Sequence, residues 1–350
     1  MFQEFHGVAI EAISACVPKR KISNDFFEEL LSPKELRVFE KTVGIFERRW
    51  ADDSITASDL GYAAALNLIR QNQVSKEEIE CLIFLSQTPD YKIPFTSNIL
   101  QDKLGLKKEI LCLDINAGCA GFIQGLSTAF SFAKSLKKGK VLFIVAETLS
   151  KIISVKDRST AMLFGDGAAA VIVSAGDLNN NTTFLNFFSD GHNASAIEIP
   201  DGGYRNQITA ESLNAIKDEN GNKKNKLNLT MNGPKVFDFT LREISISIEE
   251  LLKKSNIEKN EINYFLLHQS NQFIIKQIAS QLKVEKEKML LNINDFGNTS
   301  GVSIPLLICS NKTILNNSQN ILMSGYGSGL NWGNLITNLS KTKIFDIIEI

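Results

Sequence analysis

Two stretches of this chain repeat each other at nearly the same offset, and that repeat limits the fold more than any other feature. Residues 74–85 resemble residues 257–268: in each, a polar turn leads into an apolar run, ending in Leu82-Ile83-Phe84-Leu85 and in Phe265-Leu266-Leu267-His268. Residues 139–146 resemble residues 318–325 in the same way. The runs have strand length and are apolar without alternation, the pattern of strands buried on both faces. A duplicated α/β unit explains both pairs together, with halves at 1–175 and 176–350, although either pair alone would read equally as chance similarity of apolar strands. Strands are predicted over 79–85, 110–115, 141–146, 168–173, 262–267 and 320–323. Helical spacing runs from Phe122 through Leu126, Phe130 and Ala133 to Leu136. Lys137, Lys138 and Gly139 then read as a cationic last turn and a glycine stop.

Composition supports two packed halves. The chain has 350 residues, 43% of them apolar and 22% charged, enough to bury a large core. A net charge of −1 provides no global basic field for nucleic acid. No apolar run reaches membrane-spanning length, and residues 1–6 have no basic or apolar leader pattern, so neither a membrane nor a secretory route is expected. The five cysteines (Cys16, Cys81, Cys112, Cys119 and Cys309) are odd in number and form no Cys-x-x-Cys pair. A disulfide framework and a zinc site are therefore not expected, and the setting expected is a reducing cytoplasm. Residues 217–228, dense in Lys, Asn, Asp and Gly, read as a solvated loop without chemistry.

Five short segments have the residue types that chemistry needs. In Asp114-Ile115-Asn116-Ala117-Gly118-Cys119-Ala120-Gly121-Phe122, a strand ends, small residues turn, and a helix begins at the cysteine. Free N–H groups and the positive dipole end of a helix favour a thiolate, and the small neighbours leave room for a substrate thioester. Taken alone, the segment reads equally well as a buried cysteine beside a glycine turn. His268-Gln269-Ser270-Asn271 follows an apolar run, at the strand end where α/β proteins place ligands. Near a helix N-terminus such a histidine stays neutral and donates from Nε2. A lone histidine at such a place is more often structural, but His6 and His192, the other two, lie in unpatterned segments, which leaves His268 as the imidazole candidate. Asn298, in Gly297-Asn298-Thr299-Ser300, reads by itself as a turn or cap asparagine. Residues 325–333 are glycine-rich but lack the Lys-Ser/Thr of a phosphate loop, and a turn offering N–H donors to an oxyanion fits them better. Gly165-Asp166-Gly167 reads as a structural turn beneath the site.

In this order and spacing, the segments resemble the β-ketoacyl-acyl-carrier-protein synthase III family over nearly the whole chain. Gly118-Cys119-Ala120-Gly121-Phe122 resembles its nucleophile motif, His268-Gln269-Ser270-Asn271 its histidine motif and Gly297-Asn298-Thr299-Ser300 its asparagine motif. Residues 159–170 and the run from Leu229 to Gly233, followed by Val236-Phe237, match as well. The resemblance implies an α/β thiolase-like fold, with duplicated βαβαβαββ halves in five αβαβα layers. It implies that Cys119 takes an acyl group from a carrier or CoA thioester. A malonyl-type thioester on acyl carrier protein then loses carbon dioxide, while His268 and Asn298 hydrogen-bond its enolate oxygen. Donors of this kind are worth roughly 2.7–4 kcal/mol each in mutational precedents. The Cys119 N–H and the turn Gly327-Ser328-Gly329 are implied as a second oxyanion hole, and the implied chemistry needs no metal or redox cofactor. Phe122 is implied at the acyl pocket, and Ile93 as the floor of a partner's acyl pocket in a homodimer.

Departures from the family pattern bear on recognition. Where acetyl-CoA-using members clamp adenine with Trp and Arg, this sequence has Val38 and Thr42. Phe273 and Asp238 stand where a carrier-docking Arg and Lys are usual. This leaves Lys235, Arg242, Lys276 and Lys283 as candidate carrier contacts, and Arg48 and Arg49 as candidate substitutes for CoA. Free acetyl-CoA is accordingly expected to be a poor donor, and a specialised fatty-acid or polyketide-like pathway is expected over the housekeeping initiator. A non-decarboxylating acyltransferase using Cys119 on an alcohol or amine, and a non-catalytic dimer partner, are the competing readings. A papain-like Cys-His-Asn hydrolase lacks support from the duplicated pattern.

Overall fold

The computed structural model describes residues 1–136, 139–176, 182–219 and 221–350. In chain order the principal strands are β1 (Phe2–His6), β2 (Val8–Val17), β3 (Ile79–Leu85), β4 (Leu111–Ile115), β5 (Lys140–Glu147) and β6 (Gly167–Ala175). They continue as β7 (Thr182–Ser189), β8 (Tyr264–Leu267), β9 (Ile321–Gly327), β10 (Asn331–Thr337), β11 (Lys343–Ile344) and β12 (Ile348–Glu349). The principal helices are α1 (Pro33–Val43), α2 (Ala57–Asn72), α3 (Thr96–Leu104), α4 (Gly121–Ser135), α5 (Gly233–Ser255), α6 (Gln272–Leu282) and α7 (Ser303–Ser310).

The repeat in the sequence reappears as a repeat in the sheets. In the first sheet, β3 and β5 pair in parallel, β5 pairs antiparallel with β6, and β6 antiparallel with β2. In the second, β8 and β9 pair in parallel, β9 antiparallel with β10, and β10 antiparallel with β7. The first sheet extends to β4 through β3, and the second has at that place only a parallel bridge between Phe265 and Met289. Even the turns correspond. The Ser75 N–H donates to Glu78 at 3.2 Å before β3, and the Glu258 N–H donates to Glu261 at 2.7 Å before β8.

Because both faces of these strands are covered, alternate side chains enter different cores. From β3, Cys81, Ile83 and Leu85 pack inward with Phe122, Leu126 and Phe130 of α4, and Leu82 and Phe84 pack outward with Leu60, Ala64 and Leu68 of α2. From the second sheet, Leu266 and Met323 face the inner core, and Phe265, Leu267 and Leu322 face α5 and α6. The layers are α2/α3, first sheet, α4/α7, second sheet, α5/α6: the five-layer αβαβα order implied by the resemblance.

The two halves exchange their ends. β1 pairs with β7 in the second sheet, and β11 and β12 pair with β2 in the first. Stretches 1–175 and 176–350 each lend strands to the other, so neither closes its own sheet. The Lys137-Lys138 turn predicted after α4 lies outside the described residues. The expected solvated loop contains a short hairpin, residues 216–217 against 223–224, and Lys224 pairs with buried Asp157 at 3.1 Å.

Candidate active site

β4 delivers Cys119 to the inner layer, where the chain turns into α4. Ala120, at the N-cap of α4, supplies no side-chain cap, so the first N–H groups of the helix are left to other partners. Glycines allow the second sheet to lie directly on this turn. A Cβ at Gly327 would stand 2.6 Å from Cys119 Cβ and 3.0 Å from Sγ, and one at Gly325 would stand 3.0 Å from the Cys119 carbonyl oxygen. The small residues on the turn that carries Cys119 act similarly. A Cβ at Gly118 would strike Gln87 Oε1 at 2.3 Å, and one at Gly121 would strike Leu85 at 2.7 Å. Protein, rather than substrate, occupies the room that these residues leave.

The Cys119 thiol is half-buried, and its hydrogen-bond partner is Ser300 Oγ at 3.6 Å. Desolvation pushes its pKa up to about 11; the Ser300 contact opposes this and nearby Glu147 adds to it. The thiol thus rests protonated, contrary to the thiolate expected from helix position alone, because burial outweighs the helix end. Cys16 and Cys81 are pushed further, to about 12, by burial. All five cysteines are free.

β8 carries His268 to the same place. Its N–H donates to Ser324 O at 2.8 Å, extending the parallel ladder, and its Nδ1 lies 2.7 Å from Ser303 Oγ at the start of α7. The ring stands edge-on to Tyr326, with centroids 5.4 Å apart, and the Tyr326 hydroxyl donates to His268 O at 3.2 Å. Burial lowers the imidazole pKa to about 3, so the ring is neutral, as expected. His6 and His192 are exposed and take no part.

Asn298 is clamped by the Gly165-Asp166-Gly167 turn. Its N–H donates to Leu163 O at 2.8 Å, and its carbonyl accepts from the Gly165 N–H at 3.0 Å. Asp166 secures that turn by accepting from the Ala51 N–H at 2.8 Å and the Ser150 N–H at 2.9 Å. Gly297 has φ +64°, and a Cβ there would press on Leu163 O at 2.7 Å, so the residue before Asn298 must be glycine. The Ser300 N–H donates to Asn298 Oδ1 at 2.9 Å, which leaves Nδ2 for a ligand.

Cys119, His268 and Asn298 line one cavity of about 180 Å³, with Gly327 and Ser328 on its wall and Leu149, Leu163, Phe164 and Leu229 giving it apolar sides. Gly329 does not line it, and lies instead on a neighbouring cavity. Phe122 departs from expectation: it is fully buried, stacked on Phe143 at 5.9 Å, because α4 turns it into the inner core. Ile93 is 81% exposed and stays away from the cavity of its own chain.

The mouth is apolar. Phe237, on the cavity wall, stacks on Phe273 with centroids 6.0 Å apart, and both rings are partly exposed. Val38 and Thr42 lie on α1, where the Thr42 hydroxyl is used on Val38 O at 2.7 Å. Lys235 is exposed beside the cavity-lining Val236, and Lys276 is exposed on α6. Arg242 is tied to Asp238 at 3.1 Å and to Glu243 at 2.7 Å. Lys283 caps the far end of α6, roughly 15 Å along the helix from the mouth at 1.5 Å per residue. Arg48 and Arg49 are no substitutes for a CoA clamp. Both are buried, Arg48 on Ile22 O, Asn24 Oδ1 and Met162 O, and Arg49 on Pro18 O and Glu349.

Gln87, Ser300, Ser303, Tyr326 and Glu147 also build the site, and sequence reasoning did not single them out. Gln87 follows the end of β3, the edge where such folds gather ligands, and that position was the available signal. Glu147 is fully buried, and desolvation raises its pKa to about 8.

Known proteins share this architecture. Residues 113–191 match the family model 3-oxoacyl-[acyl-carrier-protein] synthase III, and residues 252–339 match that family's C-terminal model. The chain is 34% identical over 334 residues to the β-ketoacyl-[acyl-carrier-protein] synthase III of Streptococcus sanguinis, covering 94% of this chain and 98% of the relative. Identity to the enzyme of the same name from Streptococcus mutans is 36%, over 92% of this chain and 96% of the relative. The crystal structure of a 3-oxoacyl-(acyl-carrier protein) synthase from Burkholderia xenovorans superposes with a TM-score of 0.93 at 32% identity, covering 100% of this chain and 99% of that one. The chain belongs to the β-ketoacyl-[acyl-carrier-protein] synthase III family, condensing acyltransferases of the thiolase-like fold.

Proposed function

We propose that this enzyme primes a chain by acylating Cys119 and then extends it by decarboxylative condensation. In the first half-reaction the Cys119 sulfur forms a bond to the acyl carbon of a thioester, and the donor's thiol leaves with the proton. The Cys119 N–H and the Gly327-Ser328 turn serve the tetrahedral oxyanion. In the second, a malonyl-type thioester on acyl carrier protein loses carbon dioxide, and its electron pair passes to an enolate. The carbanion carbon attacks the acyl-cysteine, the C–S bond breaks to release the Cys119 thiolate, the β-ketoacyl product leaves on the carrier, and a proton taken up from water regenerates the thiol.

One observation carries this reading: His268 Nδ1 and Asn298 Oδ1 are both engaged inside the protein. Ser303 Oγ holds Nδ1 and also accepts the Gln269 N–H at 3.4 Å; with Nδ1 so engaged, we assign the ring proton to Nε2, the nitrogen left for a ligand. Two neutral N–H donors then border the cavity that holds Cys119, suited to an enolate oxygen.

A homodimer belongs to the same reading. It is supported by the exposed Tyr91, Ile93 and Phe95 near the edge strand β4, whose Leu111 is itself exposed. Carrier docking at the mouth would use Lys235 and Lys276 ahead of Arg242 and Lys283. The missing adenine clamp at Val38 and Thr42 favours a carrier-borne primer over acetyl-CoA, and a specialised pathway. Among the described residues, no helix is long and apolar enough to cross a membrane. The free cysteines agree with a cytoplasmic setting. The test is to present one acyl group on CoA and on carrier proteins, and to follow the mass of Cys119 and release of carbon dioxide from malonyl carrier. Acyl mass with carbon dioxide release supports condensation. Acyl mass passed to an alcohol or amine without carbon dioxide overturns it.

A further inference from the structure

Gln87 and Ser328 meet over the backbone of Gly118, the residue before the nucleophile. Gln87 Nε2 donates to Ser328 Oγ at 3.2 Å. A Cβ at Gly118 would stand 2.3 Å from Gln87 Oε1 and 2.8 Å from Ser328 Oγ, so both polar groups rest directly on that glycine. The Gln87 main chain is held from below: its N–H donates to both Glu147 oxygens, at 3.1 and 3.2 Å, and the Thr88 hydroxyl donates to the same carboxyl at 3.0 Å.

A cavity lies on either side of this contact. The first, about 180 Å³, contains Cys119. The second, about 410 Å³, is lined by Ile115, Asn116, Gly118, Gln124 and Asn331 among others. Gln87, Ile197 and Ser328 line both. The carboxamide–hydroxyl pair is therefore part of a shared wall, and Gln87 is its longest side chain.

We propose that Gln87 is a specificity-determining residue: the bulk of its side chain, laid against Ser328, closes the first cavity beside Cys119 and limits the length of the acyl group carried there. The inference rests on the reading of Cys119 as the acyl carrier. An acyl chain longer than the first cavity must cross this wall to reach the second. Gln87 is the longest of the three side chains that line both cavities, so shortening it joins the two volumes without altering the core.

The experiment measures Cys119 acylation by intact mass, using straight-chain acyl thioesters of increasing length on one carrier. The readout is the ratio of long-chain to short-chain rates within each protein, which cancels any loss of folded enzyme. Gln87→Ala raises that ratio about tenfold or more, the scale on which a pocket wall discriminates a methylene. Gln87→Met, which refills the volume without the hydrogen bond, keeps the wild-type limit. An unchanged ratio in Gln87→Ala overturns the proposal, as does an equal relaxation in Gln87→Met, which would mean that the loop had loosened and no wall was removed. If no thioester acylates Cys119 in the wild type, the acyl-enzyme reading itself fails and the wall with it.

Discussion

Ser303 Oγ lies 2.7 Å from His268 Nδ1, and this contact between two buried side chains leaves Nε2 as the ring nitrogen open to the cavity. Removing the hydroxyl leaves a buried nitrogen unpaired and frees the tautomer. Ser303→Ala is expected to slow condensation roughly ten- to a hundredfold, the equivalent of about 1–3 kcal/mol. Acylation of Cys119 is expected to continue, and Ser303→Thr to restore much of the loss. Single-turnover assays of the two half-reactions check this; equal losses in both steps contradict it.

The pKa shifts give the two half-reactions different pH profiles. Cys119 is raised to about 11, so below that value its thiolate fraction, and with it acylation, grows about tenfold per pH unit. Ionisation of Glu147 near pH 8 places a negative charge close by and flattens that rise. His268, lowered to about 3, is neutral throughout the working range and adds no inflection to decarboxylation between pH 5 and 8. Rate profiles on pre-acylated and free enzyme check both signs. An inflection near 6.5 in decarboxylation contradicts the neutral-donor assignment.

Labelling distinguishes the nucleophile from its neighbours. Cys119→Ala is expected to abolish the acyl mass increment. Cys112→Ala, on β4 and away from the cavity lining, is expected to retain it. A surviving increment in the Cys119 variant rejects the assignment.

The exposed Ile93 predicts a dimer. Light scattering is expected to give twice the chain mass, and Ile93→Trp to restrict acceptance of longer acyl groups by filling the partner's pocket. A monomer, or an unchanged chain-length profile, counts against both.

Much of this was legible because burial leaves a simple mark. Strands covered on both faces must be apolar throughout, so β3, β5 and β9 and the duplication stood out in the sequence. Cys119, His268 and Asn298 were visible because turns, strand ends and glycines flank them. What failed depended on direction or on distant partners. Nothing local tells Phe122 to stack on Phe143 instead of facing substrate, or Arg48 to turn inward onto three backbone and amide oxygens. The thiol pKa was misjudged because desolvation is set by the second sheet, whose Gly325 and Gly327, far away in sequence, lie on the Cys119 turn. Ser303 and Gln87 were hidden for the same reason: each acts through a residue contributed by another segment.

The central claim is that His268 and Asn298 serve the enolate and not the thiol. The direct measurement takes His268→Ala and Asn298→Ala through both half-reactions, scoring acyl mass on Cys119 and carbon dioxide release from malonyl carrier. Both variants are predicted to accept the acyl group and to lose decarboxylation by roughly a hundredfold or more, the scale of one lost oxyanion donor. Decarboxylation at the wild-type rate in either variant, or loss of acylation with decarboxylation intact, contradicts the account.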